Sequence, residues 1–349
     1  MKNVVTLLLL AAITLTYGCG SDDDGPTAVE PSAWEEDERF LFENKVQFNS
    51  FADDENLFFM GRQFMSHITI ADGMEQIEIS GFFLQHSTQF QMPVSSELFL
   101  TANERIALIT STQNPVSDVS NFYLDMEKVD PGFQGFDFPH FSRSQAMAIN
   151  SRNQCLIPYV TEGHWNLLLA DVTLRANEIV DTLQTQIYSQ PNVSFGWTRL
   201  NVFDDVFYVS RLNGTYRIDA TREMRQVTDV GFYRMFEVDD TLYGLDFDEL
   251  YASQDGITWA FIGNLDPVFS ELKFTKIENK TIAFRFSQIW IVEETAEGFN
   301  ITELDNEGLF GHQINSIAVF NGKVYLSTFS GVFSKDLEDF FEEKVVTEE

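Results

Sequence analysis

The sequence is poor in cysteine, in basic residues and in long apolar runs, and each shortage closes off a class of protein. Its only cysteines, Cys19 and Cys155, are too few for a disulfide framework. Lys and Arg number 22 against 54 Asp and Glu, a net charge of −32. Such a surface repels nucleic acid, whose binding depends on Lys and Arg. The one long apolar run, Val4 to Leu15, is shorter than the ~20 residues a membrane-spanning helix needs. The five histidines, His67, His86, His140, His164 and His312, show no zinc spacing. No Gly-x-Ser-x-Gly elbow and no Gly-Lys-Ser/Thr phosphate loop occurs. The acidic pairs Asp239-Asp240 and Asp246/Asp248 lack the spacing of a calcium loop. Cys155 lies in the apolar run Cys155 to Tyr159 with no adjacent base, so a small core residue is expected there, not a nucleophile. Carboxylates are so abundant that a glycosidase-like pair carries no information. The sequence thus names no catalytic residue, metal ligand or cofactor.

Abundant aromatics offset these shortages. Aromatic residues make up 14% of the chain, with 34 Phe, and the bias favours strands and a large core. From about residue 40, short apolar runs alternate with polar turns. A unit of four strands recurs, clearest at Leu200–Ile218, Met235–Tyr251, Phe274–Trp290 and Ser316–Phe333. Asp204-Asp205, Asp239-Asp240, Glu278-Asn279 and Asn321-Gly322 are the hairpin turns of these units. The pairs Tyr208/Tyr216, Tyr243/Tyr251 and Tyr325/Phe333 share a spacing of eight, as a hairpin of fixed length imposes, and Ile282/Trp290 follows it. Looser copies of the turn and second strand surround Phe58, Ala107 and Leu156. The anchors Phe58, Ala107, Leu156, Tyr208, Tyr243, Ala283 and Tyr325 then recur at gaps of 49, 49, 52, 35, 40 and 42. Four-stranded propeller blades recur every ~40–50 residues. The expectation is an all-β propeller of about seven blades over 40–349, with six or eight tolerable. Two β-sandwich domains split near residue 140 are the alternative. Either Phe40–Val46 or Glu343–Val346 is expected to close the ring.

The N-terminus reads as an address. A basic start, a short apolar stretch and Gly18-Cys19 form a secretory signal over 1–18. The junction resembles a bacterial lipobox, which implies a lipid on Cys19, although Thr16 stands where the family carries Leu. The following Ser21-Asp22-Asp23-Asp24 resembles the export signal of Bacteroidota surface lipoproteins. That resemblance implies attachment to the outer face of the outer membrane, with its periplasmic face as the alternative. Residues 19–39, rich in Asp, Glu, Pro, Ser and Gly, are expected to be a disordered tether.

One further motif bears on the fold. Ser253-Gln254-Asp255-Gly256-Ile257-Thr258-Trp259 resembles the Asp-box of sialidase-type propellers, one residue shorter than the usual pattern. In that family the motif is structural and occupies the turn between the third and fourth strands of a blade. Asp181-Thr182-Leu183 and Asp240-Thr241-Leu242 resemble a Bacteroidota O-glycosylation acceptor, which implies sugars on Thr182 and Thr241. The expected function is a non-catalytic binding module for a glycan, a peptide or an envelope protein. Loop aromatics such as Trp165 or Trp197 are candidates to stack on sugars. The alternative is a glycoside hydrolase or polysaccharide lyase, which requires Arg, Tyr and carboxylates converging at one end of the channel. A structural subunit of an envelope complex would instead show an exposed apolar patch on one rim.

Overall fold

The computed structural model describes residues 33–40, 47–61, 64–71, 74–81, 95, 97–103, 105–112, 121–137, 147–175, 178–191, 197–295 and 298–345. They form a seven-bladed β-propeller of antiparallel sheets. Blades 1 to 7 occupy 47–81, 98–125, 135–191, 199–228, 234–264, 273–303 and 314–336. Every anchor, from Phe58 in blade 1 to Tyr325 in blade 7, lies on the second strand of its blade.

The turns explain why the repeat was readable. Asp204 and Asp205, Asp239 and Asp240, and Asn321 and Gly322 all have positive φ, as a two-residue hairpin turn requires. Beyond each turn the second strand pairs with the third in a constant register. Phe58 faces His67, Tyr208 faces Arg217, Tyr243 faces Ala252, Ile282 faces Ile291 and Tyr325 faces Ser334. Each residue therefore pairs with the one nine further on, and the aromatic eight further on points to the opposite face. The spacing of eight supplies one aromatic to each side of the blade. Between blades, aromatic side chains meet. Phe236 of blade 5 stacks on Phe274 of blade 6 with ring centroids 4.1 Å apart. Tyr325 of blade 7 meets Phe59 of blade 1 at 6.0 Å.

Ring closure differs from both expectations. The outermost strand of blade 7 is Glu35–Glu36, paired with Phe333 and Ser334. Residues 33–39, assigned by sequence to the tether, therefore belong to the fold. Trp34 is the reason they dock. It is buried between blades 6 and 7, lies edge-on to Phe340 and donates from Nε1 to the Asp305 carbonyl at 3.3 Å. Phe40, the first residue of one proposed closing strand, is a buried core residue ending the 3₁₀ turn Glu38–Phe40, and 41–46 lie outside the described residues. Glu343, from the other, makes only an isolated bridge to Leu304, and Val346 lies outside the described residues. Blade 3 also departs from the pattern. Two short pieces, Gly135–Phe136 and Ala148–Ile149, share its innermost position.

Candidate functional site

The innermost strands of blades 1, 4, 5, 6 and 7 enclose a cavity of about 220 Å³ on the propeller axis. One position recurs around it. Asn49, Arg199, Arg234, Lys273 and Ser316 each pair across to Met60, Ser210, Leu245, Phe284 and Ser327, near the outer end of the second strand. They form a layer at one mouth of the channel. The same face carries the turns between second and third strands and the connections that enter each blade. The two sets are bonded together: the Ile314 N–H donates to the Phe286 carbonyl at 2.7 Å, and Asn306 Nδ2 donates to the Ser287 carbonyl at 3.0 Å.

The mouth is cationic in a protein of net charge −32. Arg199, Arg234 and Lys273 come from three consecutive blades, and no described residue lining the cavity carries a carboxylate. Burial, together with the neighbouring Arg199 charge, pushes the Arg234 guanidinium down to about 10. Arg199 is lowered as well, mainly by burial, although Tyr233 offsets part of the shift. The Nε atoms of both arginines are buried without a hydrogen-bond partner. Lys273 Nζ donates to the Asn315 carbonyl at 2.8 Å. Ser50 and Ser316 hydroxyls join blades 1 and 7 at 2.8 Å. Arg211, outside the cavity lining, shares part of this setting, since burial lowers it and its Nε and Nη1 also lack a partner. It differs in lying over the Trp165 ring at 4.1 Å, and the Asp137 charge favours its cationic form.

An aromatic stack leads outward from the mouth. Arg199 sits 3.7 Å above the Tyr233 ring, and Phe247 stacks on Tyr233 at 5.9 Å. Trp197 meets Tyr233 edge-on at 6.0 Å. Phe247 and Phe286 are the first turn residues of blades 5 and 6, with φ of +55° and +52° and exposures of 65% and 54%. Leu212 holds the same turn in blade 4 at 58% exposure, and Phe310, on the connection into blade 7, is 96% exposed.

The residues singled out from sequence lie elsewhere. Cys19 is outside the described residues. Ser253 to Trp259 occupy the turn between the third and fourth strands of blade 5. There Asp255 accepts from the Ile257 and Thr258 N–H groups at 2.8 and 2.7 Å, and from the Ser253 and Thr258 hydroxyls. The Thr258 and Ile257 amides are the main reason its carboxyl is held down to about 2. Gly256 has φ +66°, and a Cβ there would stand 1.8 Å from the Tyr208 hydroxyl of blade 4. Trp259 packs on Phe232 at 4.6 Å, in the cluster joining blades 4 and 5. Thr182 is on the long outer strand of blade 3, with its side chain outside the described residues. Thr241 opens the second strand of blade 5, half-buried. Trp165 is fully buried and donates to Asp137 at 2.7 Å, so it is unavailable to a sugar. Cys155 is buried, and desolvation pushes its thiol far up. The strand Thr241–Asp246 separates Asp239 and Asp240 from Asp246 and Asp248. His67 and His164 lie in blades 1 and 3 and His312 on the connection into blade 7, while His86 and His140 lie outside the described residues. Among the described residues no group of three or more His, Cys, Asp or Glu could hold a metal.

Sequence reading missed the mouth. Its signal was present but weak: a basic residue stands immediately before each of the units beginning at Leu200, Met235 and Phe274.

Neither a protein-family model nor a curated protein sequence matches the chain. Solved structures do, through the fold. The extracellular domain of BT4673 from B. thetaiotaomicron has 9% identity, a TM-score of 0.50, and matches over 87% of this chain and 40% of that one. The AfRom2 CNH domain has 11% identity and a TM-score of 0.49, over 87% and 98%. The WD40 propeller of Doa1 has 10% identity and a TM-score of 0.46, over 86% and 97%. The chain is similar to these in being a propeller. It spans about 40% of the BT4673 chain.

Proposed function

We propose that this chain is a lipid-anchored, extracytoplasmic propeller that binds a ligand at the channel mouth and does no chemistry on it. The observation that carries the reading is the convergence of Arg199, Arg234 and Lys273 without a carboxylate among the described lining residues. Desolvating two guanidiniums costs stability, and sites that oppose stability are where function is sought. The hydrolase or lyase reading needs an acid or nucleophile beside the arginines, and the described lining offers Tyr233 but no carboxylate. The Gly18-Cys19 junction and the Asp22–Asp24 run support attachment at the cell surface. The likeness to an extracellular domain is in keeping with that location. The Asp-box resemblance of Ser253 to Trp259 supports a structural role for that turn.

The test is a binding screen of the mature chain carrying Cys19→Ser on glycan and peptide arrays, with a hydrolysis readout on every retained probe. Retention that Arg234→Met weakens at least tenfold, without turnover, is the expected result. Turnover of any probe overturns the non-catalytic reading. Metabolic labelling with palmitate checks the anchor, and Cys19→Ser should abolish the label.

A further inference from the structure

The mouth and its rim together specify a class of ligand. Exposed apolar side chains on single turns are ordinary, but Phe247 and Phe286 are not ordinary turn residues. Both adopt a left-handed conformation that Gly or Asn would hold at little cost. Both also expose more than half of a large ring. The fold thus bears strain and exposed apolar area at the same two positions, on adjacent blades, beside a desolvated cationic mouth. Strain of this kind persists where it serves a site. Leu212 and Phe310 extend the apolar rim to either side.

The aromatics nearest the mouth offer little to a sugar. Stacking a sugar ring needs a free flat face. Tyr233 already has Arg199 over its ring at 3.7 Å and Phe247 stacked on it at 5.9 Å. Trp197 is half-buried, with Arg199 5.4 Å from its centroid. Leu212 is not planar at all. Apolar side chains ringing a charged well suit a protein chain, which carries apolar groups and a carboxylate within a few ångströms of each other.

We propose that this face binds an extended peptide segment of a partner protein. One Asp or Glu side chain enters the mouth and pairs with Arg199, Arg234 and Lys273. Its apolar neighbours pack on Phe247, Phe286 and Leu212. The assignment rests on the binding-module reading above and names the ligand of that same site. Charge complementarity is local. The well is positive while the molecule as a whole is acidic, so an acidic segment binds only where its carboxylate reaches the mouth. A carboxylate there would pair with the terminal nitrogens of the two guanidiniums, which is where the gain over an uncharged side chain arises.

The experiment uses an array of synthetic heptapeptides with a central Glu or Asp flanked by Leu, Phe or Val. Each is printed beside its Gln or Asn twin, and neutral, carboxylated and sulfated glycans share the slide. The probe is the mature chain carrying Cys19→Ser. The acidic peptides are expected to be retained at least tenfold better than their twins. Arg234→Met and Lys273→Met should each remove that preference, and the double substitution Phe247→Asn, Phe286→Asn should weaken both members of a pair. Thermal melts confirm that each variant folds. Equal retention of acidic and amide twins overturns the proposal, as does a preference that survives both Arg234→Met and Lys273→Met. Retention of glycans without peptides overturns the peptide assignment and leaves the binding module standing. Turnover of a retained glycan defeats the binding-module reading itself.

Discussion

Arg234 is a half-buried charge whose desolvation works against the fold. Its Nε has no partner, and its neighbours include another cation. Replacing a poorly compensated buried charge with an apolar side chain of similar length is often stabilising. Arg234→Met should therefore raise the melting temperature by a few degrees, equivalent to about 1–2 kcal/mol, while binding falls. Differential scanning calorimetry beside the array readout separates the two effects. Asp255 works in the opposite direction. Its folded carboxyl titrates near 2, below the ordinary 3.8, because two amides and two hydroxyls bond the anion. Its contribution to stability is therefore complete above the ordinary value and is lost as the pH falls through about 2. Melts at pH 5 should show Asp255→Asn less stable than the parent, and the gap should shrink as the pH falls towards 2. None of this chemistry was visible residue by residue. A lone Arg before a strand looks like any surface cation until four other blades surround it.

At the scale of the element, the hairpins were the legible part. Asp-Asp and Asn-Gly announce left-handed turns whatever surrounds them, and the constant strand register that follows produces the spacing of eight. Phe247 and Phe286 were illegible for the converse reason. Phenylalanine carries no turn signal, so a turn built against propensity is silent in the sequence. Phe247→Asn should leave the blade intact and stabilise it by about 0.5–1 kcal/mol, since Asn tolerates the backbone that Phe strains. Chemical denaturation measures this directly. Gly256→Ala should do the reverse, costing about 2–3 kcal/mol from both its backbone angle and its clash with the Tyr208 hydroxyl. Tyr208→Phe in the same chain should recover part of the loss, because it removes the atom that clashes.

At the scale of the molecule, blade count followed from the repeat, but closure did not. Glu35-Glu36 has no apolar alternation and reads as tether. What identifies it is Trp34, whose pocket is assembled from blades 6 and 7 and from Phe340. Trp34→Ala should cost about 3–5 kcal/mol and lower the melting temperature of the whole ring.

That closure also sets a timetable. Glu35 pairs with Ser334, residues about 300 positions apart, so the joining strand waits for the last blade to be made. Until then the nascent protein is an open arc with an unhidden Trp34. A product that stops short of blade 7 never acquires the surface that hides it. The closing strand thus makes the first residues of the fold a reporter on the last: an indole left in water marks a ring that has not closed.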